Sequence, residues 1–252
     1  MLLAIGESQL ELSPRRACAA IAEGYEQSLR KGGGAAVLAE RYRWLRDLAI
    51  VRLKDQRPFW EHLRGLRAPS RHVKPRPLQL LRAALPSGCR DLRVVHRQAG
   101  LGSLGRVRLV ALADWGGGMI AREAKPLAPS AWLFARRQRL ERTRYADLIR
   151  RAVRVPDPFL RVHGEWLIRR LAPDCSRIEL STLPRDRDES RLLWMMGWDT
   201  ANMHLATPGM RGRILADLAA RKRTWLAKAA VSMVGTLERD WRKWRKNKRA
   251  MR

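Results

Sequence analysis

The sequence predicts an α+β protein, an antiparallel sheet set among helical segments, and three observations carry that reading. Apolar residues recur at helical spacing after Ser13 and again after Asp188. Between Leu92 and Lys125, and again between Phe159 and Leu171, the period is closer to two, and runs of glycine punctuate the change. At 252 residues, 46% of them hydrophobic, the chain can bury a core.

The first helix opens at Ser13-Pro14, an N-cap followed by proline at N1. It carries Ala17, Ala20, Ile21, Gly24, Tyr25 and Leu29 to a stop at Gly32-Gly33-Gly34. A second helix is predicted from 35 to about 54, with Val37, Leu38, Tyr42, Leu45, Leu48 and Val51 inward. Proline and arginine crowd 58–86, and "PSRHVKPRP" at 69–77 reads as a surface connector. Leu92, Val94 and His96 then alternate with Arg93, Val95 and Arg97. Beyond a glycine stretch, Val107, Leu109, Ala111 and Ala113 share a face opposite Arg106, Arg108 and Val110, which gives a hairpin. Gly116-Gly117-Gly118 turns into a third strand, 119–125. A long basic helix is predicted for 129–153, opened by Pro129-Ser130, and a second hairpin for 159–162 and 165–171 across His163-Gly164. Helices from 188 to about 206 and from 210 to the end complete the chain, separated by Thr207-Pro208-Gly209. The expected division is an N-terminal helical region (1–68), the connector (69–86), a strand-rich lobe (87–185) and a C-terminal helical region (186–252). Core candidates include Val94, Val107, Leu109, Ile120, Leu140, Leu148, Leu167, Trp194, Trp198 and Leu205.

A net charge of +28 attracts phosphate-rich polymers and anionic surfaces. Only nine of the 52 basic residues are lysine, and they are spread along the chain, which fits an arginine-rich composition better than one built binding face. The compositionally biased tail, "RDWRKWRKNKRAMR" at 239–252, sets eight basic residues against Asp240 and interleaves Trp241 and Trp244. Nucleic acid or another anionic surface could bind there, or the tail is a solvated helix end. Cys18, Cys89 and Cys175 form no disulfide framework or zinc knuckle, and His62, His72, His96 and His163 show no ligand spacing. Met1–Ile5 is too short for a signal-peptide core and no apolar run is long enough to cross a bilayer, so a soluble cytoplasmic protein is expected.

"QAGLGSLGRVRLVALADWGGGMIAREAK", 98–125, places Gly100, Gly102 and Gly105 at G-x-G-x-x-G spacing and ends on Lys125. A P-loop is excluded, because Arg106 and Val107 stand where lysine and a magnesium-binding hydroxyl are required. So is a nucleophile elbow, since Leu101 occupies a required glycine. A dinucleotide fingerprint needs a helix after the glycines, whereas Val107 and Val110 favour a strand; Glu123 would be its ribose-binding acid. The kinase-type loop fits: a strand, a G-x-G-x-x-G-x-V turn formed by Gly100, Gly102, Ser103, Gly105 and Val107, a second strand, and Lys125 on the third. Glycines let backbone N–H groups approach phosphate oxygens, and one ammonium neutralises charge between two phosphates. Glu141 or Asp147, on the following helix, could orient that lysine; pairing with neighbouring arginines is the bland alternative. The lobe therefore reads as a protein-kinase-like small lobe embedded in helical segments, with ATP as its cofactor.

"AGLGSLGRVRLVALADWGGGMIAREAKPLAPSAW", 99–132, closely resembles the glycine-loop segment of the uncharacterised bacterial family catalogued as domain of unknown function 2252, whose members are thought to share the protein-kinase-like fold. "SPRRACAAIAEGYEQSL" (13–29), "VLAERYRWLR" (37–46), "PDPFLRV" (156–162) and "GWDTANMHLAT" (197–207) resemble further blocks of it. The resemblance implies that Gly100, Gly102, Gly105 and Lys125 cover a nucleotide. It also implies an upstream G-D-x-H-x-x-N catalytic block and an N-D-F-D-type metal motif, and neither occurs here. The expectation is a member that begins after those motifs, without its own base or magnesium ligands and so not catalytic alone, whose partner would be a separate chain carrying them. Asp199, Asn202 and His204 share a helical face, but their order and setting suit capping and core packing better than a metal pair.

Overall fold

In the computed structural model of the chain, residues 12–37, 42–44, 55–70, 73–99, 106–138, 143–174 and 189–250 are described. They form two compact units, one from 1–48, 151–155 and 178–252, the other from 49–150 and 156–177. The expected boundaries at 68, 86 and 185 differ from this division, because the helix at 57–64 packs on the sheet and both terminal helical regions fall in one unit.

In the helical unit, α1 (Pro14–Lys31) starts as its sequence predicts. The Ser13 side chain accepts from Arg16 N–H, and Gly32, at φ 79°, closes the last turn. It packs along α6 (Glu189–His204), burying Ala17 and Leu29 on one side and Leu193 and Trp198 on the other. The two backbones meet closely where both helices carry glycine. A Cβ on Gly24 would fall on the Trp194 carbonyl, and one on Gly197 on the Ile21 carbonyl. Asn202, 1% exposed, fixes the chain leaving α1: its amide accepts from Gly34 N–H (3.2 Å) and Ser28 Oγ (3.3 Å) and donates to Gly34 C=O (3.0 Å). Gly34 C=O also accepts from Trp198 Nε1 at 2.8 Å. With Gly33 and Gly34 held this way, Ala35–Val37 is not helical, which corrects the expected start of a second helix at 35; most of 35–54 lies outside the described residues. The expected C-terminal helix is two, α7 (Met210–Ala220) and α8 (Trp225–Ala250), because Arg221 is extended (ψ 143°) and its guanidinium pairs back to Asp217 at 2.6 Å.

The other unit is a five-stranded antiparallel sheet with a helix on each face. The helices on the two faces are α2 (Arg57–Arg64) and α3 (Pro75–Ala83), and the strands are β1 (Arg90–His96), β2 (Leu109–Trp115), β3 (Gly118–Pro126), β4 (Arg161–His163) and β5 (Trp166–Leu171), in the order β1-β2-β3-β5-β4. The α+β class and the two hairpins predicted from period two are present. Gly116 and Gly117, both at positive φ, make the two-residue β2–β3 turn, and Gly164 serves β4–β5. One face carries Val95, Val110, Leu112, Ala121 and Leu171 against Leu63 of α2; the other carries Leu109, Ala111, Ala124 and Ile168 against Leu80 and Leu81 of α3. The segment expected as a surface connector thus contains a packed helix, whose prolines 75 and 77 sit in its first turn, where a missing N–H costs no helical bond. The long basic helix expected at 129–153 is instead α4 (Ala131–Ala135) and α5 (Tyr145–Arg151); Arg137, at φ 53°, breaks it. Of the core candidates, Leu109, Leu167 and Trp198 are buried, Val94, Ile120, Leu148, Trp194 and Leu205 are half-buried, and Val107 is a correction at 41% exposed, because it precedes β2. Leu140 lies outside the described residues.

Candidate functional site

Gly100, Gly102, Ser103 and Gly105 lie outside the described residues, but both anchors of their loop are placed. Arg97 N–H donates to Arg108 C=O at 2.9 Å, so the β1–β2 ladder runs one rung past His96 and Leu109. The chain from 106 onward enters a strand, not a helix, so no helix N-terminus stands ready for a pyrophosphate after the glycines.

Lys125 stands on β3 opposite Leu167 of β5, one residue beyond the Ala124–Leu109 rung. That register puts it at the end of the sheet where the 100–105 loop delivers the chain into β2. Alternation places Lys125 on the same face as Glu123, Arg97, Arg108 and Arg169. Lys125 is half-buried, and it takes part in none of the ion pairs among the described residues. Asp147, on α5, pairs with Arg150 at 2.8 Å, its i,i+3 neighbour. Glu141 lies outside the described residues.

The buried acid of this face is Glu123, fully inaccessible, where sequence reasoning offered it only as a ribose ligand. Arg97 Nη1 donates to Oε1 at 2.6 Å and Arg169 Nε to Oε2 at 2.6 Å, while Arg108 Nη1 lies 3.6 Å from Oε1. Burial alone pushes the Glu123 carboxyl up; the guanidinium of Arg169, then that of Arg97, outweighs burial and holds it below the ordinary carboxylate value. Glu123 is thereby an ionised strut, with its oxygens occupied, and not a general base. Three guanidiniums against one carboxylate leave two positive charges in excess, and Lys125 adds a third. Arg97 Nε and Arg108 Nε are buried without a hydrogen-bond partner, and Arg108 is only 7% exposed. Chemically, the arrangement offers surplus positive charge to an anion at the loop end of the β1–β2 hairpin.

Elsewhere, His204 Nδ1 is 2.6 Å from Tyr25 Oη, and Asn202 Nδ2 donates to Asp199 at 3.2 Å, so this face of α6 serves packing. Among the described residues no group of three His, Cys, Asp or Glu side chains could hold a metal ion, and no helix is long and apolar enough to cross a membrane. On α8, Trp241 and Trp244 stack at 5.0 Å and stay about half exposed among Arg239, Arg242, Lys243, Arg245 and Lys246.

Comparison of the chain with protein-family models, with curated proteins and with solved structures finds no match.

Proposed function

We propose that the sheet unit binds a nucleotide, ATP, as the nucleotide-binding portion of a kinase-like protein. The single observation that carries this reading is the position of Lys125, a half-buried ammonium with no carboxylate partner among the described residues, on the third strand at the end served by the glycine loop. A kinase-type site needs a loop of glycines between its first two strands and a lysine on its third. The surplus positive charge around Glu123 adds to the attraction for a polyphosphate. The likeness to the family of domain of unknown function 2252 rests on the segments quoted above, and with it the expectation that the catalytic base and magnesium ligands come from a separate chain.

A second reading, an anionic surface or nucleic acid bound by the tail, is favoured by the exposed indole pair of α8. One calorimetric series separates the two. Wild type should bind ATP more tightly than AMP, and Lys125→Ala should weaken ATP at least tenfold, the equivalent of about 1.5–3 kcal/mol for a charged contact. Deletion of 239–252 should change little. ATP affinity that survives Lys125→Ala and falls with the deletion, with a steep salt dependence, assigns binding to the tail and overturns the first reading.

A further inference from the structure

On the opposite face of the sheet from Lys125, the end of α3, the turn before β4 and the strands β3 and β5 enclose a cleft of about 350 Å³. Its walls are apolar, formed by Leu80, Ala84, Leu85, Pro86, Pro158 and Ile168, and its volume falls at the small end of the range of ligand pockets, about 300–1,000 Å³. One buried charged side chain lines it. Arg122 is 5% exposed; its Nε donates to Ala84 C=O at 3.1 Å and its Nη1 to Ala121 C=O at 3.0 Å, and its guanidinium carbon lies 4.4 Å from the centroid of the Phe159 ring. The carbonyl at the end of α3 and the ring face favour a cation, but neither brings a full counter-charge. Arg122 takes part in none of the ion pairs among the described residues. Its register partner Arg170 has Asp174 at 2.7 Å, and Asp157 spends its carboxylate on Phe159 N–H. Burial, and then the like charge of Arg170, push the Arg122 guanidinium down from its ordinary value, against weaker opposing pulls that include the Asp157 carboxylate.

A buried guanidinium with no carboxylate at ion-pair distance among the described residues is costly unless something completes it. Arg161, an exposed lining residue of the same cleft, extends the positive end. We propose that this cleft is a binding site for a small carboxylate carried on an apolar body, its carboxylate on Arg122 and its body against Leu80, Leu85, Pro86 and the Phe159 ring. The site is separate from the nucleotide reading and stands or falls without it.

4-Phenylbutyrate and its neutral counterpart 4-phenylbutanol are suitable probes, titrated into the full chain by ligand-observed NMR. The acid should bind at least tenfold more tightly than the alcohol. Arg122→Met keeps the volume, removes the charge, and should abolish that preference while the apolar body still binds. Where Arg122→Met does not fold, Ala84→Leu, which fills the cleft and leaves Arg122 in place, should abolish binding of the acid. Equal affinity for acid and alcohol, no binding of either, or an acid preference that survives the substitutions would overturn the assignment.

Discussion

Replacing Glu123 with glutamine should cost the sheet unit about 3 kcal/mol, because it removes the only carboxylate that three arginines share among the described residues. Glutamine keeps the shape and loses the charge, so Arg97, Arg108 and Arg169 would face one another uncompensated. Breaking a buried ion pair from one side costs about 3–5 kcal/mol. The low end applies here, since the side chains of Arg97 and Arg169 keep 21% and 39% of their surface exposed and can turn toward water. Amide hydrogen exchange in β2 and β3 reads the loss locally, as a fall in protection of roughly two orders of magnitude. Unchanged protection would mean that the carboxylate contributes nothing net. The same group sets a pH dependence of known sign. Its folded pKa lies below the unfolded value of about 4.3, so its stabilisation is complete above that value and is lost as pH falls through the folded one. The glutamine variant should lack that acid-side decline.

Alanine at position 24 should destabilise the helical unit, although local propensity argues the reverse. Within a helix, alanine is favoured over glycine by about 1 kcal/mol. A Cβ at Gly24, however, would land on the backbone of Trp194, and a main-chain carbonyl cannot rotate aside as a side chain can. The helices must separate, at about 3 kcal/mol, the upper part of the usual cost of overpacking. Gly197→Ala should behave alike from the other helix, where the obstacle is the Ile21 carbonyl. Exchange in α1 and α6 should accelerate while that of β2 and β3 stays as in wild type. Slower exchange in α1 would show that the close approach is not limiting and that propensity decides.

The strands were legible from period-two stretches beside the glycines, although Leu109–Ala113 of β2 are apolar and buried on both faces, and the hairpin turns because Gly116, Gly117 and Gly164 occupy backbone at positive φ. Ser13-Pro14 and Gly32 marked both ends of α1 for equally local reasons. Features made by distant residues were not legible. Arg97 and Arg108 directly flank β1 and β2, Glu123 lies on β3 and Arg169 on β5, and only the β1-β2-β3-β5 register brings the three arginines to one carboxylate. In the sequence Glu123 is one acid in a strand, with no sign that it is the buried one. Prolines hid α3 by suggesting a connector, and the break at Arg137 falls on a residue that gives no warning of positive φ. Asp147 stood with Glu141 as a candidate to orient Lys125, with arginine pairing as the alternative, and the structure gives it Arg150 three residues along its own helix.

The nucleotide reading requires backbone amides of the β1–β2 loop to meet phosphate oxygens beside Lys125. ¹⁵N-glycine labelling of the full chain, with amide spectra recorded during addition of ATP, tests that contact most directly. The reading predicts that the Gly100, Gly102 and Gly105 resonances move and saturate together, that Gly116, Gly117 and Gly118 at the other end of the sheet do not, and that AMP has a much smaller effect. ATP that binds while the three loop glycines stay where they were would contradict it.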